Sequence, residues 1–129
     1  MSSIERVIYR QKGDLNIKLN ERRVSTVMDG KNNEFHPSEI RLLVVDQTGS
    51  FGQHYREYDE VWGFLGEAEI ILEDVKTKER ITYSAENGTR IFIPCMVASR
   101  VNAKKGTCIV TCAPESADRE KQTHKYEIN

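Results

Sequence analysis

A chain of 129 residues is the size of one domain, and folding buries roughly two-thirds of the surface that the unfolded chain exposes, enough for a single barrel or sandwich core. Its 19 basic and 20 acidic side chains are interspersed and leave a net charge of −1, so it carries neither the basic footprint of a nucleic-acid binder nor that of a protein held on anionic membrane. The opening residues lack an apolar leader, and the longest apolar runs, such as Leu42 to Val45, fall far short of a bilayer span; the expectation is a soluble, cytoplasmic protein.

Segments rich in β-branched and aromatic residues recur along the whole chain and predict strands at 4–9, 14–19, 22–28, 39–46, 52–56, 59–65, 68–73, 80–83, 90–94, 97–102 and 107–112. Turn signals fall between them: Lys12-Gly13-Asp14, Asp29-Gly30, Thr48-Gly49-Ser50, Glu86-Asn87-Gly88 and Lys104-Lys105-Gly106. The charged stretch from Val75 to Glu79 suits an exposed hairpin tip. Evenly spaced short strands without a helical period indicate an all-β sandwich or barrel. The strands at 4–9 and 14–28 are expected to extend one of its sheets. Residues 115–129 change character to a polar run with Tyr126 and Ile128 as anchors, which predicts a loosely attached tail or a short edge element. Cys95, Cys108 and Cys112 are an odd number without CxxC spacing and read as reduced, largely buried thiols.

The densest chemistry lies between Gly52 and Gly66. On a strand, side chains two apart share a face, so His54 and Arg56 point one way, and after the turn at Tyr58 and Asp59 so do Glu60, Trp62 and Phe64. If that face is the barrel interior, it presents an imidazole, a guanidinium, a carboxylate and an indole together. A guanidinium fork suits phosphate or carboxylate, and Tyr55, Tyr58 and Trp62 offer flat faces for a sugar or a base. His54 is the candidate proton carrier, with Tyr58 or Tyr55 as its partner. The alternative is that Arg56 pairs with Glu60 or Glu57 and merely fills the barrel.

This spacing is similar to the first cupin motif, G-x5-HxH-x3,4-E-x6-G: His54 matches the first His and Glu60 the Glu, with Gly66 one position before the closing Gly and Gly49 near the opening position. Gly88 and Pro94 match the second motif, G-x5-PxG-x2-H-x3-N, and Asn102 lies one position before its closing Asn. The resemblance implies a cupin-type double-stranded β-helix, or jelly-roll barrel, with a single domain over 1–129, motifs at 49–66 and 88–102, and a polar tail at 115–129. It also implies a homodimer.

Two departures from the motifs bear on function. Arg56 stands where the second His of a cupin metal site would be, and Ser99 where the third would be. A guanidinium donates no lone pair and a hydroxyl is a poor ligand, so the expectation is no metal and no other cofactor. Such a pattern resembles the branch that includes nucleotide-sugar ketoisomerases and epimerases and the cupin domains of polysaccharide-assembly proteins. That resemblance implies a metal-independent isomerase or epimerase on an activated sugar. His54, Tyr58 and Arg56 are then the candidate catalytic residues, and Tyr55, Glu60, Trp62, Ser99 and Arg100 the candidate ligand-binding residues. Two other readings stay open at this point: a non-catalytic module for a carbohydrate or organic acid, and a metal-dependent oxygenase or lyase drawing a further ligand from Gln53 or Cys95.

Overall fold

The computed structural model describes residues 3–10, 15–18, 23–28, 35–114 and 117–129. After a short 3-10 turn at Ser3–Arg6, the strands are β1 (Ile8–Arg10), β2 (Leu15–Lys18), β3 (Arg23–Ser25), β4 (Pro37–Val44), β5 (Gly49–Arg56), β6 (Glu60–Leu65), β7 (Ala68–Asp74), β8 (Arg80–Ala85), β9 (Arg90–Ile93), β10 (Val97–Ala103) and β11 (Cys108–Pro114). A single helical turn, α1 (Arg119–Gln122), and a last strand, β12 (Thr123–Lys125), follow. Two five-stranded antiparallel sheets form, in the orders β1-β9-β6-β11-β4 and β12-β5-β10-β7-β8. Successive strands from β4 to β7 alternate between the sheets, which is the winding of a jelly roll.

Alternation along the strands builds the core between the two sheets. Trp62, Phe64, Ile91, Ile93 and Ile109 from one sheet meet Ile70, Leu72, Val97 and Val101 from the other. Each such side chain taken fully out of water contributes roughly 1.5–3 kcal/mol before entropy is charged against it. The first sheet is also covered on its outer side, where Val61, Phe92 and Cys112 pack under Val27, Met28 and Phe35. Gly63 permits that cover, because a Cβ there would come within 2.5 Å of the Val27 side chain.

Three expectations change. Residues 4–9 begin as a turn rather than a strand, since the Asp74 carboxylate accepts the Ile4 amide at 3.0 Å and holds Ile4 in the core. Within 14–28, of which 14 and 19–22 lie outside the described residues, β2 and β3 do not extend a main sheet but pair with each other as a separate two-stranded ribbon. The strands on either side of Tyr58 and Asp59 are not neighbours in one sheet. β5 and β6 lie in opposite sheets, and 57–59 forms the corner between them, fixed by the Cys95 amide donating to Asp59 at 2.8 Å. The C-terminal segment takes the second of its two expected forms, a short edge element, with β12 paired to β5 and Ile128 buried.

Candidate active site

A backbone irregularity sets the interior face of β5. Opposite β10, Ser99 pairs with His54 and Arg100 with Gly52, so Gln53 is an extra residue bulged out of the ladder. Gly52 and Gln53 both take positive φ, +98° and +56°. A side chain at Gly52 would bring its Cβ to 2.8 Å from the Ser99 carbonyl oxygen. Phe51 packs inward, so unbroken alternation would turn Gln53 and Tyr55 inward as well. The bulge shifts the phase: His54 and Arg56 line the cavity, while Gln53 turns outward and bonds both backbone groups of Ile128.

The cavity has a volume of about 270 Å³, and its polar wall is His54, Arg56, Glu60, Trp62, Arg41 and Arg119. A small recess behind it adds Tyr58 and Ser99. Arg56 donates to Glu60 at 2.6 Å across the corner between the sheets. From there a chain of charges runs to the mouth: Arg119 lies 3.8 Å from the other Glu60 oxygen and donates to Glu39, which Arg41 also holds at 3.1 Å. Three guanidiniums against two carboxylates leave one positive charge in excess, which favours an anionic ligand.

Four buried polar atoms here lack good partners: His54 Nε2, Glu60 Oε2, Trp62 Nε1 and the Tyr58 hydroxyl, to which Thr123 gives only a weak contact. Leaving such groups unpaired costs about 1–3 kcal/mol each, and their clustering marks a site that a ligand completes. One ring nitrogen of His54 bonds the Gly52 backbone, which leaves the Nε2 lone pair buried without a partner. Burial, reinforced by the Arg56 charge, lowers the His54 pKa from 6.5 to about 4, so the imidazole is neutral at pH 7. Burial raises the Tyr58 pKa, keeping its hydroxyl protonated as a donor.

His54, Arg56, Glu60, Trp62, Tyr58 and Ser99 are thus brought together. Tyr55 and Arg100 are directed elsewhere. The Tyr55 ring packs on His124 and Tyr126 outside the barrel, and Arg100 donates to Ser50 and to the Ile128 carbonyl. Sequence reasoning missed Glu39, Arg41 and Arg119. The first two lie on β4, whose pattern misleads: Ile40, Leu42 and Val44 face outward, 65%, 70% and 52% exposed, while Arg41 and Leu43 line the cavity. Arg119 comes from the polar C-terminal run.

A cupin metal site would need further ligands beside His54 and Glu60. The residues do not fit one: Glu60 is engaged by Arg56, and among the described residues no group of three His, Cys, Asp or Glu side chains is arranged to hold an ion. A larger groove of about 650 Å³ lies on the outer face near Glu69, Ser84 and Asn102, but its Glu69 is paired with Asn102 and its Glu67 with Lys104.

No protein-family model matches the sequence, and a search of curated proteins finds no match. Solved structures do match. The sugar 3,4-ketoisomerase QdtA from Thermoanaerobacterium thermosaccharolyticum, in complex with TDP, has a TM-score of 0.75 at 16% identity over 92% of this chain and 86% of its own. The TDP-fucose-3,4-ketoisomerase WlaRA from Campylobacter jejuni gives 0.69 at 18% identity, covering 92% and 88%. The dTDP-4-dehydrorhamnose 3,5-epimerase from Sulfolobus tokodaii gives 0.71 at 10% identity, covering 82% and 69%. With the sheet order and the inward-facing cavity, these likenesses establish that the chain folds as a cupin-type double-stranded β-helix, the architecture of nucleotide-sugar ketoisomerases and epimerases.

Proposed function

We propose that this protein is a metal-independent isomerase or epimerase acting on a nucleotide-activated keto sugar, of the kind made for polysaccharide biosynthesis. The observation that carries this reading is the neutral His54, with its Nε2 buried and unpartnered in the wall of the cavity that Arg56, Glu60 and Trp62 also line. The fold shared with sugar ketoisomerases and epimerases supports it.

In this reading His54 Nε2 takes the proton from the carbon next to the sugar carbonyl, and the C–H electron pair forms the enolate. The Arg56 guanidinium or the Tyr58 hydroxyl donates to the enolate oxygen, which holds the developing charge in a site largely closed to water. Delivery of that proton to the former carbonyl carbon, while the hydroxyl on the deprotonated carbon passes its own proton to the enolate oxygen, moves the carbonyl by one position. Return of the abstracted proton to the same carbon from the opposite face inverts that centre. A low basicity for His54 in the empty protein suits this role, because an anion bound to Arg56 and Arg119 offsets the charges that depress it.

The protein acts as a homodimer in this reading. Support comes from the outward apolar row of Ile40, Leu42 and Val44 on the edge strand β4, joined by the exposed Leu65 across Cys108 of β11. A contiguous exposed apolar row of this kind on an edge strand is a surface that proteins ordinarily cover. Three unpaired thiols support a reducing, cytoplasmic setting.

The test is incubation with TDP-4-keto-6-deoxyglucose in D₂O, followed by proton NMR. Wild type is expected to exchange ring protons and form a new sugar. His54→Ala is expected to lose about 10²–10⁴-fold in rate while TDP still raises its melting temperature. Full activity in His54→Ala contradicts the mechanism. Binding without turnover in wild type would put a non-catalytic sugar-binding module in its place.

A further inference from the structure

The C-terminal segment delivers one guanidinium, that of Arg119, to the mouth of the cavity, and there it is paired with a carboxylate. The turn bearing it is built for rigidity. Asp118 accepts the Lys121 amide, the Gln122 side chain accepts the Asp118 amide in return, and Glu57 of the corner donates its amide to the Gln122 carbonyl at 2.9 Å. The segment then pairs along β5, with Thr123 opposite Arg56 and Lys125 opposite His54. Arg119 is therefore aimed by backbone, with its side chain 19% exposed, and only its distal atoms are free to change partner.

Its current partner is Glu39. Arg119 Nε and Nη2 both donate to Glu39 Oε1, so the guanidinium edge that would clasp a phosphate is filled by a carboxylate. Glu39 is 45% exposed, so its carboxylate can regain water when it leaves the arginine, which lowers the cost of separating the pair. The remaining nitrogen, Nη1, faces Glu60 Oε2 across 3.8 Å without a hydrogen bond, which keeps the group oriented when the other edge is released.

Building on the nucleotide-sugar reading, we propose that Arg119 binds the diphosphate of the ligand and that Glu39 is its placeholder, a built-in competitor that the anion displaces. The exchange leaves Arg41, also on Glu39, to hold the displaced carboxylate.

Calorimetric titration of TDP, TMP and thymidine into the full chain tests this. Arg119→Gln is expected to weaken TDP about tenfold or more, the loss of one charge-assisted fork, while thymidine changes less than about twofold. Glu39→Gln, which removes the competitor without touching the arginine, is expected to tighten TDP about three- to tenfold. Equal losses for TDP and thymidine in Arg119→Gln would make Arg119 a merely structural residue. Weaker TDP binding in Glu39→Gln would make Glu39 an anchor and overturn the proposal. If wild type binds none of the three, the nucleotide reading fails on its own. The same variants titrated with inorganic pyrophosphate then decide the exchange, and no binding of pyrophosphate ends it too.

Discussion

The two ends of the barrel are built from similar strands but treat their polar groups in opposite ways. At the end where β6 leaves the barrel, Gly66 donates its amide to Asn87 at 2.6 Å, Thr107 both donates to and accepts from the Glu67 backbone, and Glu67 pairs with Lys104. At the end where β6 begins, His54, Glu60, Trp62 and Tyr58 hold buried polar atoms without good partners. The first end is finished by folding alone. The second keeps buried polar atoms that the fold itself does not pair, and these are where a ligand can supply partners.

Substitutions can break this contrast from either side. Gly52→Ala should act most strongly, because it forces a side chain onto a left-handed residue and against the Ser99 carbonyl; a loss of roughly 2–4 kcal/mol in denaturant unfolding and a collapse of ligand affinity are expected. Acid should act next. The unfolded chain takes up the His54 proton as pH falls through 6.5, whereas the folded chain does not until about 4. Stability is therefore lost on descending between those values, by roughly 2 kcal/mol, and regained on ascending. In His54→Gln that part of the pH dependence of unfolding should vanish.

Thr107→Val attacks the finished end, where it strips the Glu67 contacts. Roughly 1–2 kcal/mol of stability should go, with TDP affinity changed less than about twofold. Trp62→Phe at the other end should do the reverse. Removing an unpaired buried N–H offsets lost packing, so stability should fall by less than about 1 kcal/mol while TDP-sugar affinity drops severalfold. Equal responses at the two ends, in stability and in affinity, would erase the distinction.

Much of this was legible in the sequence, since strand alternation is a local property. It placed His54 with Arg56, and Glu60 with Trp62 and Phe64, on shared faces, and the structure turns both sets inward. What escaped depended on distant partners. The Gly52-Gln53 bulge is defined only against β10, although a glycine inside a strand pattern is its usual sign. The outward apolar row on β4 reverses the ordinary pattern because the inner side of that strand lines a charged cavity. Met96 takes a φ of +66° at the glycine position of the resembled second motif, held by its amide bond to Arg56, which composition cannot reveal. The C-terminal run left a loose tail and a short edge element both open, because an edge strand needs few apolar residues. Asp118 followed by Lys121 and Gln122, then the Tyr126 and Ile128 anchors, were the signals available.

A crystal structure of the protein with TDP-4-keto-6-deoxyglucose would test the account most directly. It should place the carbon beside the sugar carbonyl about 3–3.5 Å from His54 Nε2, with hydrogen bonds to the currently unpaired atoms of Trp62 or Tyr58. A ligand seated instead in the outer groove by Glu69 and Ser84, with the interior atoms still unpaired, would contradict it.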